Sequence, residues 1–157
     1  MLQAFVFETV AVLVGPWREP ADPPERGTRV EVRLLDRELR RGSWSAAQRV
    51  VIDQPAFRAD LFDLVDGPPG NLASAHFHDR FDGVEPCDRL WPAEIKRDPT
   101  GWLAGELGDL GQLLDRAGVE VADAEGAARD ALALRDAVPA IVAAVNATWE
   151  SVRAPVQ

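Results

Sequence analysis

The chain holds few of the residues that usually announce a mechanism. Cys87 is its single cysteine in 157 residues, so no intramolecular disulfide can form, and a reducing compartment is expected. There is no Gly-x-Gly-x-x-Gly or Gly-Lys-Ser loop, which leaves nucleotide chemistry without a motif. There is no Gly-x-Ser-x-Gly nucleophile elbow either. Positive charge is scarce: the formal net charge is −9. Phosphate binding needs a cationic surface that releases counterions, so neither nucleic acid nor an anionic membrane is expected as a partner. Arg37, Arg40 and Arg41 form a small basic patch, read as a solvated turn or strand end. The apolar run Ala4–Val14 lacks a basic leader and a small-residue cleavage site, and Glu8 interrupts it. It is too short to cross a bilayer and reads as a buried strand of a cytoplasmic protein.

What remains is an ordinary globular composition, 46% hydrophobic, in a length that suits a single domain over residues 1–157. A chain of this size buries roughly 70% of its unfolded surface, enough for a core without staples. Its two parts differ in grammar. Residues 1–97 read as strand and loop, and residues 98–157 as helix. Residues 4–14 are one strand candidate, stopped by Gly15-Pro16. Residues 15–28, with four prolines, read as a loop. Val30, Val32 and Leu34 alternate with Glu31 and Arg33, the mark of a strand with one apolar face. Trp44 lies in a turn region. Residues 48–53 and 57–65 make two further strands around Gln54-Pro55, and Gly67-Pro68-Pro69-Gly70 is a turn. Residues 72–79 return as the last strand. The expected fold is α+β: an antiparallel sheet of about five strands within residues 4–80, covered by two or three helices within residues 98–153.

The helical part opens at Asp98-Pro99, an N-cap with proline at the first helical position. Leu103, Leu107, Leu110 and Leu114 form one helical stripe, and Gly118 ends it. A second stripe runs Leu134, Val138, Ile141, Val145, Trp149, Val152. Pro139 falls inside it, so either one helix bends there or two meet, and Pro155 closes the run.

Both histidines of the chain, His76 and His78, stand two residues apart on the return strand. Strand residues i and i+2 share a face, so the two imidazoles project together. A divalent ion needs three or four converging donors. Glu85 becomes a third if the chain turns back at Gly83, leaving open positions on Zn, Fe or Mn for water and substrate. Asp60 and Arg58, on the strand before the turn, share the histidine side if the hairpin pairs around residues 67–70. Asp60 then orients an imidazole N–H, and Asp60 and Glu85 are the candidate catalytic carboxylates. Arg58, Arg80, Arg89 and Trp91 are the candidate contacts for a small acidic ligand. Asp79, Asp82 and Asp88 read as solvated carboxylates, and Cys87 as a small buried side chain.

Gly70, five residues, then His76-Phe77-His78 and a later Glu85 resembles the first metal motif of the cupins, a family of small β-barrels. The resemblance covers about sixteen residues and implies that the two histidines and the glutamate bind metal, with a further histidine from a later strand. This chain departs from the pattern in a longer gap to Glu85, in having no third histidine, and in turning helical after Trp91. The run from Arg58 to Pro86 is also similar to small uncharacterised domains of high-GC bacteria, which implies no activity. The arginine bias, with Lys96 the one lysine among 17 basic residues, fits that bacterial source. Two function classes follow. One is a protein that binds a divalent metal or small acidic ligand around His76 and His78, with hydrolytic, lyase or isomerase chemistry. The other is a non-enzymatic module whose helical stripe, with Leu110 and Trp149, makes a homodimer or docks a protein partner.

Overall fold

The structure, a computed structural model, describes residues 1–20, 22–37 and 50–153. Arg40, Arg41, Trp44, the start of the 48–53 strand and Pro155 lie outside the described residues. The fold is α+β. Five strands, β1 (Gln3–Val6), β2 (Val10–Glu19), β3 (Glu25–Arg37), β4 (Val50–Leu64) and β5 (His76–His78), form one antiparallel meander in chain order. A two-stranded hairpin follows, β6 (Phe81–Asp82) and β7 (Glu85–Pro86). Helices α1 (Ala93–Arg97), α2 (Pro99–Leu107), α3 (Leu110–Ala117) and α4 (Ala124–Arg153) complete the chain.

Several boundaries differ from the sequence expectation. The 4–14 run is two strands, because the chain reverses at residues 7–9. That turn is stabilised from far away in sequence: the buried Asp130 carboxylate of α4 accepts the N–H groups of Glu8 (2.9 Å), Thr9 (2.6 Å) and Val10 (3.2 Å) and the Thr9 hydroxyl (2.6 Å). Gly15-Pro16 does not stop β2, which runs on to Glu19. Its neighbour β1 reaches only as far as Val14, so beyond that point β2 is an edge strand, where proline is tolerated. Of the expected loop at 15–28, residues 15–19 belong to β2 and residues 25–28 to β3. Pro55 does not divide two strands either. It sits where the β3–β4 register shifts, opposite Arg33, and a bulge is where a strand can do without a proline N–H. The return strand is only three residues long, because Gly70 and Leu72 give their N–H groups to Asp63 (2.7 and 2.8 Å) in a preceding turn.

The leucine stripe is shared by two helices rather than one. Asp109 caps α3 by accepting the Gln112 N–H at 3.0 Å, which starts a new helix one residue after Gly108, and Gly118, at φ 67°, ends it. At Pro139, α4 continues unbroken. The proline lies on its exposed side, where water can take the carbonyl left without a partner. By length and composition alone α4 would suffice to cross a membrane. Here its Leu134, Ile141, Val145 and Trp149 are buried in the core it shares with the sheet.

That core lies on one face of the sheet only. Val10, Val12 and Val14 of β2, Val30 and Val32 of β3, Phe57, Ala59 and Leu61 of β4 and Phe77 of β5 meet the leucines of α2, α3 and α4. Leu110 and Trp149, the proposed interface residues, belong to this core. Strand alternation then sends the intervening residues, the histidines among them, to the other face.

Candidate metal centre

The register aligns that second face in two rows. Gly15, Arg29, Asp60 and His76 lie side by side across β2, β3, β4 and β5, and Leu13, Glu31, Arg58 and His78 form the next row. Directly opposed residues on one face are near enough to interact, and opposite charges there are favourable. Arg29 grips Asp60 with two N–H groups, at 2.6 and 3.1 Å. Glu31 accepts from Arg58 at 2.7 Å and from Arg33 at 2.8 Å. Burial works to raise the Glu31 carboxyl, but the two guanidiniums outweigh it and hold the group below its ordinary 4.5.

His76 and His78 are buried, and each ring is oriented from behind by the main chain. His76 Nδ1 donates to the Ser74 carbonyl at 2.7 Å. His78 Nδ1 donates to the carbonyls of Cys87 (3.1 Å) and Asp88 (3.0 Å). These carbonyls return beside β5 because Leu90 and Phe77 exchange backbone hydrogen bonds, closing the β6–β7 excursion. A carbonyl oxygen can only accept, so both Nδ1 atoms carry the proton, and in the neutral rings both Nε2 atoms hold lone pairs. Burial pushes both imidazoles below their ordinary 6.5. It outweighs the Ser74 carbonyl and the Asp60 charge at His76, and Asp60 with the two carbonyls at His78.

The two lone pairs converge on one carboxylate. Asp60 Oδ2 lies 3.4 Å from His76 Nε2 and 3.9 Å from His78 Nε2. All three donor atoms fall within 4.8 Å of one another, and the group could hold a metal ion. Among the described residues no other set of three such side chains does so. Two donors about 2.1 Å from a shared ion at the tetrahedral angle lie about 3.4 Å apart, so the spacing needs little adjustment. Phe62 meets His76 edge-on at 6.3 Å and Trp91 lies against it at 4.9 Å, which keeps the ring from turning.

The carboxylate within the cluster is therefore Asp60, which the sequence placed behind a histidine as its orienter. Glu85 is exposed on the short β7 strand and lines the mouth of the cleft, outside the cluster. Arg58 is held by Glu31 and lies 5.6 Å from the Phe81 ring. Arg89 is exposed and lines the cleft; Arg80 is exposed and does not. Trp91 walls His76 rather than the cleft. Asp79, Asp82 and Asp88 do not join the donors, and Cys87, exposed rather than buried because it follows the short β6–β7 hairpin at the surface, reaches His78 through its carbonyl. Arg29 and Trp17 were missed. The guanidinium of Arg29 stacks over Trp17 at 3.7 Å while it holds Asp60. The alternation of Val30 and Val32, extended by one residue, would put Arg29 on the polar face, but nothing in the local sequence pairs it with Asp60.

The cleft above the donors encloses about 410 Å³ and is walled by Trp17, Glu19, Glu25, Glu85 and Arg89. No family model, no curated protein and no solved structure matches the chain.

Proposed function

We propose that Asp60, His76 and His78 hold one divalent transition ion, and that this ion serves hydrolytic, lyase or isomerase chemistry on a small ligand in the cleft. One observation carries the reading: both imidazoles are locked with Nδ1–H on main-chain carbonyls, so two lone pairs face a carboxylate oxygen with no proton donor between them. A metal ion would answer both lone pairs at once and share Asp60 Oδ2 with the Arg29 N–H. Metal-binding histidines characteristically donate their other nitrogen in this way, and the bound carboxylate is characteristically hydrogen-bonded in turn, the part Arg29 plays. Two imidazoles and one carboxylate suit Zn, Fe or Mn. Three protein donors leave positions free for water and ligand, as catalytic sites do and structural sites do not. Such an ion lowers the pKa of bound water or polarises a carbonyl.

The test is metal content. Protein stripped with chelator and reloaded with Zn²⁺ or Mn²⁺ should carry one ion per chain by elemental analysis. The double variant His76→Ala, His78→Ala should carry none while keeping the helical circular dichroism. Wild-type protein that retains no ion after reloading ends the reading.

A further inference from the structure

Beside the cleft, on the same sheet face, lies a second hollow, with the stacked Arg29 and Trp17 side chains common to both walls. This trough, about 520 Å³, is walled by Leu2, Leu13, Gly15 and Pro16 and shares Trp17, Arg29 and Arg58 with the cleft. Its surface is chiefly apolar, and a side chain at Gly15 would narrow it, since a Cβ there would lie 2.9 Å from the Leu2 side chain. Ligand sites are commonly apolar hollows of this size with a few placed polar groups.

The charges of the cleft divide by their partners. Arg29 and Arg58 are taken by Asp60 and Glu31. Arg89 has neither a hydrogen bond nor an ion pair among the described residues, yet it lines the cleft. A free guanidinium beside an ion with open positions favours an oxyanion. Glu19, Glu25 and Glu85 at the wall oppose any ligand of higher negative charge.

We propose that the natural ligand is a monocarboxylate with an apolar body, its carboxylate between the ion and Arg89 and its body in the trough of Leu2, Leu13, Gly15 and Pro16. This rests on the metal reading and names the ligand class that the reading leaves open. The probes are acetate, hexanoate, phenylacetate and inorganic phosphate, titrated by calorimetry and by visible absorption into protein loaded with Co²⁺. Hexanoate and phenylacetate should bind at least about tenfold more tightly than acetate, since each buried methylene adds to affinity, and all should perturb the Co²⁺ spectrum. Arg89→Gln, an exposed change, should weaken every carboxylate by about tenfold or more while the metal stoichiometry stays at one. Leu13→Asn should weaken hexanoate and spare acetate. Equal binding of acetate and hexanoate, tighter binding of phosphate, or indifference to Arg89→Gln overturns the ligand assignment while a loaded ion leaves the metal reading standing. Failure to load any ion removes both.

Discussion

The two faces of the sheet come from the same strands and do opposite things. On the helix-covered face, valines, leucines and phenylalanines close a dry core in which shape is the only requirement. On the open face, β3, β4 and β5 carry a cluster of charged or titratable residues, each with a named partner: Asp60 with Arg29, Glu31 with Arg33 and Arg58, the histidines with main-chain carbonyls. Buried charge costs free energy unless it is paired and hydrogen-bonded. A row of such pairs is therefore a poor device for stability and a good one for holding donors in place. The covered face explains why the protein folds. The open face carries the group that could hold a metal ion.

That division can be broken from either side. Ile141→Ala, in the covered core, should cost about 2–5 kcal/mol in urea unfolding and leave the folded fraction with its full metal content. Lost metal at unchanged fold would mean that the two faces are not separable. Arg29→Gln, on the open face, should lower metal affinity by about 10–100-fold in a chelator competition, because Asp60 loses the partner that aims it. An unchanged affinity would remove Arg29 from the site. Asp109→Ala removes only the cap of α3, and should cost about 1 kcal/mol without touching metal binding.

The smallest effect should be the pH dependence of the metal-free protein. Both imidazoles titrate below 6.5 when folded, so above pH 6.5 folded and unfolded chains are alike neutral there and stability is complete. As pH falls below 6.5 the unfolded chain takes up protons first, and stability declines until the folded rings protonate too. The urea midpoint should fall between pH 7 and 6 in wild-type protein. It should be flat over that range in the His76→Gln, His78→Gln variant. A wild-type midpoint that rises on acidification would show that Asp60 controls the rings more strongly than burial does.

Strand alternation and turn chemistry were legible in the residues themselves. His76 and His78 share a face because of the two-residue period, and the turn at 67–70 puts β5 beside β4 with Asp60 opposite His76. Long-range choices were not legible. The choice between Asp60 and Glu85 as third donor depends on how far the β6–β7 hairpin reaches, and its local sequence allowed either. Arg29 meets Asp60 through a register set across 31 residues and two irregularities in the ladder. The helix break at Gly108 was hidden because the leucine spacing stays in phase across Asp109, although that aspartate is itself a capping signal. Gly27 shows the same limit. A Cβ there would run into the Leu61 carbonyl oxygen, a requirement visible only once β4 is beside it.

Asp130 carries a consequence for how the molecule is made. The β1–β2 hairpin has its turn amides answered by a carboxylate some 120 residues downstream. Until that residue emerges, β1 and β2 have an unfinished corner and an uncovered apolar side, so they wait for α4 to be made. A nascent chain stalled before α4 should therefore remain sensitive to protease at residues 7–10, and release of the full chain should close that window in a single step.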